Sequence, residues 1–138
     1  MKKIYIISSI ILIVSLILGI FFSNNTKIKL FENVDTCNVA EINIFNPGAS
    51  FNIDDENEIL EIMNYLKNVK LSKNSDKTLP NTTPEAQIAL EDKDGKTVSS
   101  VAIYGYVAIL YPNDGEWYTI SGSIYSDLEN LCKNLRNK

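Results

Sequence analysis

After Met1-Lys2-Lys3 the chain runs from Ile4 to Phe22, nineteen residues, without a single charge. As a helix rising 1.5 Å per residue this run reaches roughly 28 Å, close to the hydrocarbon thickness of a bilayer. A helix buried in a water-soluble core would show a polar side. Residues 1–23 are therefore expected to form a transmembrane signal anchor. A cleaved signal peptide has a shorter apolar run that closes in small residues, whereas this one closes in Gly19-Ile20-Phe21-Phe22-Ser23. Leu16-Ile17-Leu18-Gly19 leads up to a lipidation-like position, but Ile20 stands where the lipid-bearing cysteine would be. Lys2, Lys3 and the terminal amine outweigh Lys27 and Lys29 across the segment. The expected placement is single-pass in the cell membrane, N-terminus cytoplasmic and the rest extracytoplasmic.

The chain beyond the anchor is long enough for one domain. Residues 24–35, opening on Asn24-Asn25-Thr26, read as a polar tether, and residues 36–138 as an extracytoplasmic α+β domain. Of 13 basic residues, Lys2 and Lys3 lie before the anchor, leaving 11 against 17 acids, a formal charge of −6 outside. With that balance no nucleic-acid partner is expected and an anionic lipid surface is disfavoured, since both need a positive footprint. Cys37 and Cys132 are the only cysteines. Outside the cytoplasm such a pair is expected to form a disulfide, worth roughly 4–5 kcal/mol in the chain-entropy account; the alternative is two buried thiols acting as small hydrophobes.

Periodicity supplies the elements. Thr36 to Phe45 alternates, with Ala40, Ile42 and Ile44 on one face, and reads as a half-buried strand. Asp54 as N-cap, acids in the first turn, and Ile59, Ile62, Met63 and Leu66 at helical spacing predict a helix over 54–69. Leu71 to Pro84 has no apolar period and reads as a loop. Gln87–Glu91, Thr97–Tyr104, Tyr106–Tyr111 and Glu116–Ser121, separated by turn signals, predict a four-strand meander. Ser126 to Glu129 can form a capping box, and Ile124, Leu128, Leu131 and Leu135 mark a closing helix. The expected fold is α+β: an N-terminal transmembrane helix, then β-α-β-β-β-β-α, an antiparallel sheet with both helices packed on one face. Its core is expected from Ala40, Ile42, Ile44, Ile88, Leu90, Val101, Ile103, Leu110 and Ile120, with Ile59, Met63, Leu66, Leu128, Leu131 and Leu135 from the helices.

Chemistry-bearing motifs are scarce. The chain has no histidine, which excludes histidine-based triads and metal sites. S-x-x-K, G-x-S-x-G and phosphate-binding glycine loops are also missing from the sequence. The acids from Asp54 to Glu61 suit a helix start better than calcium or paired-carboxylate catalysis. No catalytic residue, metal ligand or cofactor is assigned. More suggestive is the aromatic set Tyr104, Tyr106, Tyr111 and Trp117. If Val101 and Ile103 face the helices, period two turns Ala102 and Tyr104 to the other face, where Val107, Ile109, Tyr111 and Trp117 join them. Aromatics on an uncovered face with few charges mark a contact surface for protein or glycan; the bland account is that strands favour aromatics.

The helix from Asp54 to Val69, the segment Ile88 to Gly95, the Tyr104–Tyr111 hairpin and Trp117-Tyr118-Thr119-Ile120 before a C-terminal helix together resemble an uncharacterised extracytoplasmic domain family of low-GC Gram-positive bacteria. Its members are small lipoproteins or membrane-anchored proteins. The resemblance implies fold and location and offers no catalytic residues. The expected function is a non-catalytic binding or accessory module docking on a protein or cell-wall partner. The alternative is an inhibitor or immunity-type protein acting on an extracytoplasmic enzyme through the 71–84 segment.

Overall fold

The computed structural model describes residues 27–46, 49–74, 78, 82–112, 116–120 and 123–136. Among these, eight strands and two α-helices succeed one another: β1 (Lys27–Lys29), β2 (Glu41–Asn46), β3 (Ala49–Ile53), α1 (Glu56–Leu66), β4 (Lys70–Lys73), β5 (Ala86–Glu91), β6 (Thr97–Tyr104), β7 (Val107–Tyr111), β8 (Trp117–Thr119) and α2 (Ile124–Arg136). The strands form one sheet in the order β1-β4-β8-β7-β6-β5-β2-β3, every neighbouring pair antiparallel.

The expected β-α-β-β-β-β-α order is thus corrected to an eight-stranded sheet. The meander is present as β5 to β8, with consecutive strands adjacent. Three short strands were invisible to periodicity. β1 reads Lys-Ile-Lys and β4 Lys-Leu-Ser-Lys, each with one apolar residue, too little for a period. They form because they pair with each other, and β4 also pairs with β8. β3 forms a hairpin with β2, its register running from Ile53 opposite Ile42 to Ala49 opposite Asn46. The tether read over 24–35 accordingly contains β1, with Leu30 and Phe31 next along the chain and inside the core. Likewise Lys70–Lys73, at the start of the expected loop, lies inside the sheet. The apolar run Ile4–Phe22 falls outside the described residues, and among those described no helix is long and apolar enough to cross a membrane.

Both helices present their apolar sides to a single cluster. Ile59, Ile62, Met63 and Leu66 from α1 and Ile124, Leu128, Cys132 and Leu135 from α2 meet Ile42, Ile44, Ile88, Leu90, Val101 and Ile103 of the sheet. Ala40, expected inside, is exposed, and Leu110 and Leu131 are only partly buried. The reason for Ala40 lies in Thr36–Asn38, which form a 3-10 turn rather than the start of a strand; Asp35 accepts a hydrogen bond from the Cys37 N–H there. Asp55, one residue later than expected, caps α1: its carboxylate accepts from the N–H groups of Asn57 and Glu58. α2 begins two residues before the expected capping box, and Ser126 donates instead to the Ser123 carbonyl. Gly105, at φ +58°, makes the tight β6–β7 reversal between the paired residues Tyr104 and Val107. Phe31 is also left-handed, at φ 55°; that costs an aromatic residue about 1–2 kcal/mol, which its near-complete burial offsets.

The expected Cys37–Cys132 disulfide is not formed. Cys37 is exposed in the 3-10 turn, whereas Cys132 sits on the inward side of α2 within the core. One thiol faces solvent and the other faces packed side chains, so the pair meets only one half of the buried-thiol alternative.

Candidate functional site

Strand register fixes which side chains share the face turned away from the helices. Phe45 pairs with Gln87, Gln87 with Ala102, Ala102 with Ile109 and Ile109 with Trp117, making one row across β2, β5, β6, β7 and β8. A second row joins Asn43, Ala89, Ser100 and Tyr111. A third joins Tyr104, Val107, Thr119, Ser72 and Lys27. Tyr104, Tyr111 and Trp117 therefore do lie on one face, as period two requires.

Burial divides them. Tyr111 is 42% exposed, whereas Trp117 retains only 8% of its surface, beside Ile109 at 4% and Ala102 at 6%. Trp117 is thus packed within this face, while Tyr111 stands open to solvent. Tyr106, 70% exposed, belongs to the β6–β7 turn. It lies beyond the far end of β7 from Tyr111, roughly 17 Å along the strand direction at the usual rise per residue. The four aromatics do not converge on one spot. Phe45, 53% exposed, was missed although its signal was present: period two sets it opposite Ile42 and Ile44. Around it the face is polar. Glu41 accepts hydrogen bonds from the amides of Asn43 and Asn52, and Asn52 also donates to Asn43, so this corner is a fixed, satisfied network.

On the helix side of the sheet, the segment after β1 closes over the ends of β4, β7 and β8. It leaves a cavity of about 390 Å³ lined by Phe31, Glu32, Lys73, Leu110, Glu116 and Tyr118, among others. The Tyr118 hydroxyl donates to the Glu116 carboxylate. Between the helices, the Tyr65 hydroxyl donates to Asp127 at 3.3 Å. Burial, first, pushes both phenols up from 10.0 to about 12; for Tyr65 the Asp127 charge and then its hydrogen bond add to this, for Tyr118 the Glu116 hydrogen bond and then its charge. A raised phenol favours the neutral form in the folded state. Its contribution is fully present below pH 10 and is lost as pH climbs through 12. In a spectrophotometric titration Tyr65 and Tyr118 should ionise about two pH units after an ordinary tyrosine. Tyr65→Phe and Tyr118→Phe should each remove one of the two late steps and flatten the alkaline loss of stability; a variant that still shows both late steps would refute the assignment of its residue.

Among the described residues no group of three or more Cys, Asp or Glu is placed to hold a metal ion. No protein-family model, curated protein or solved structure matches the chain.

Proposed function

We propose that the chain is a non-catalytic binding module, held at the outer surface of the cell membrane by Ile4–Phe22, that takes a protein partner on the sheet face carrying Phe45 and Tyr111. The observation that supports this is that two exposed aromatics stand on this face, Phe45 beside a corner whose polar side chains already bond one another. Phe45 and Tyr111 keep about half of their surfaces in water, while the polar groups of the Glu41–Asn43–Asn52 corner are already bonded to one another. Water-exposed rings on a rigid support, with polar neighbours that need no rearrangement, have the anatomy of an interface centre and rim. Rigidity matters because ordering side chains on binding offsets affinity. Tyr111 is anchored through its backbone, whose carbonyl accepts from the Ser99 hydroxyl at 3.0 Å.

The test places a photo-crosslinking residue at position 45, at 111 and, as a control, at the exposed β5–β6 turn residue Lys93, in intact cells. Adducts to the same protein from 45 and 111, and not from 93, are expected. Phe45→Ser combined with Tyr111→Ser should lower recovery of that protein at least tenfold, the effect of losing interface anchors, while stability changes by less than about 1 kcal/mol. Carbohydrate adducts would transfer the face to a cell-wall ligand, and equal adducts from all three positions would remove the binding surface.

A further inference from the structure

We infer that the β1–β4 edge of the sheet rests on anionic lipid headgroups and thereby sets the orientation of the domain on the membrane. This rests on the reading of Ile4–Phe22 as a membrane anchor. Register places Lys27 opposite Ser72 and Lys29 opposite Lys70, so Lys27, Lys29 and Lys70 project from one face of two adjacent strands. All three are exposed, as is Lys73 at the end of β4. None of the four has an ion pair among the described residues; the one described ion pair is Lys133 with Glu129. Glu32 and Glu116 are the acids that line the same cavity as Lys29 and Lys73, so the four lysines outnumber them two to one, and the Glu32 carboxylate accepts a hydrogen bond from the Lys29 N–H. The edge is thus locally cationic in a domain that is acidic as a whole.

Position in the chain decides what meets these lysines. Five Cα steps separate Phe22 from Lys27, a span of at most roughly 18 Å. β1 is therefore the part of the domain that cannot move far from the bilayer. At the opposite edge lies β3, succeeded directly by Asp54, Asp55 and Glu56. Charge is graded along the sheet, cationic beside the anchor and acidic away from it. Facing a negative plane, this arrangement is attracted at one end and repelled at the other, within a screening length of about 8 Å. The domain would stand on β1 and β4, with Phe45 of β2, on the same face as Lys27, six strand spacings away along the sheet and so clear of the headgroups. Lysines on an edge strand also guard against sheet-to-sheet pairing, a role that needs no lipid.

The test reconstitutes the full chain in vesicles of neutral phosphatidylcholine and in vesicles that also contain phosphatidylglycerol, and tracks lysine acetylation by mass spectrometry. With phosphatidylglycerol at low salt, acetylation of Lys27, Lys29 and Lys70 should fall about fivefold and recover at high salt, while Lys93 and Lys96 stay unchanged. In K27Q/K29Q/K70Q, acetylation of Lys73 should be the same on both kinds of vesicle. Equal labelling of the edge on both, or a uniform fall at every lysine, would overturn the inference and leave the lysines as edge guards. Failure of the chain to float with neutral vesicles would remove the anchor and the inference together. Flotation with unchanged labelling would remove the inference alone.

Discussion

Trp117→Ala is expected to destabilise the domain by about 3–5 kcal/mol, whereas Tyr111→Ala, on the same face of the neighbouring strand, should cost less than about 1 kcal/mol. The two residues are similar in kind and sit one strand apart, so propensity alone would predict similar losses. Burial separates them: 8% of Trp117 is exposed against 42% of Tyr111. A buried aromatic side chain removes roughly 150–250 Å² from water. Deleting it also opens space at the end of the Gln87–Ala102–Ile109 row, beside the buried Ile109. Against a domain stability of about 5–15 kcal/mol, that loss lowers the denaturant midpoint by more than half where the stability is at the lower end of that range. Tyr111→Ala leaves the Ser99 bond in place because the acceptor is the backbone carbonyl. Urea unfolding monitored by circular dichroism measures both. Equal, small losses would mean that Trp117 is a surface residue after all and would return it to the candidate interface.

The contrast between these residues marks where sequence reasoning succeeds and where it stops. Period two placed Tyr104, Tyr111 and Trp117 on the same face because alternation is a property of the strand itself and needs no knowledge of neighbours. Burial of that face is a property of what lies against it, and no local pattern carries it. The same division explains the strands. β5, β6 and β7 each bury at least two apolar side chains and announce themselves. β1 and β4 are three and four residues long and draw their stability from each other and from Leu71, whose burial is complete. Nothing in Lys27-Ile28-Lys29 distinguishes an edge strand from a tether; the partner that makes it a strand lies far along the chain, where Leu71 stands opposite Ile28. The disulfide expectation failed for a related reason, since the count of cysteines says nothing of the direction in which each side chain points. α1 and α2 were legible apart from their ends because a helix carries its apolar stripe within its own residues.

The β2–β3 hairpin offers the second large effect. Asn46→Ala should cost about 2–4 kcal/mol, and Tyr125→Phe only about 1. Asn46 is the one polar residue among those described as buried, at 2% exposure. Its side-chain amide donates to the Tyr125 hydroxyl on α2, and its Oδ1 accepts from the Ala49 N–H at 2.6 Å, across the hairpin. The residue therefore joins three elements: β2, which carries it, β3, whose first N–H it satisfies, and α2. Removing the amide leaves the partly buried Ala49 N–H and Tyr125 phenol without these partners, and a group left unsatisfied away from water costs more than the bond itself gained. Tyr125→Phe deletes one hydroxyl while Asn46 still holds Ala49, so the penalty is confined to a single bond. The double variant Asn46→Ala/Tyr125→Phe should be less destabilised than the sum of the two, because both changes remove the same bond. Strict additivity in a denaturant series would show that the β2–β3 hairpin and α2 are fastened by apolar packing alone, and that this polar bridge contributes nothing to holding the Phe45-bearing strand in place.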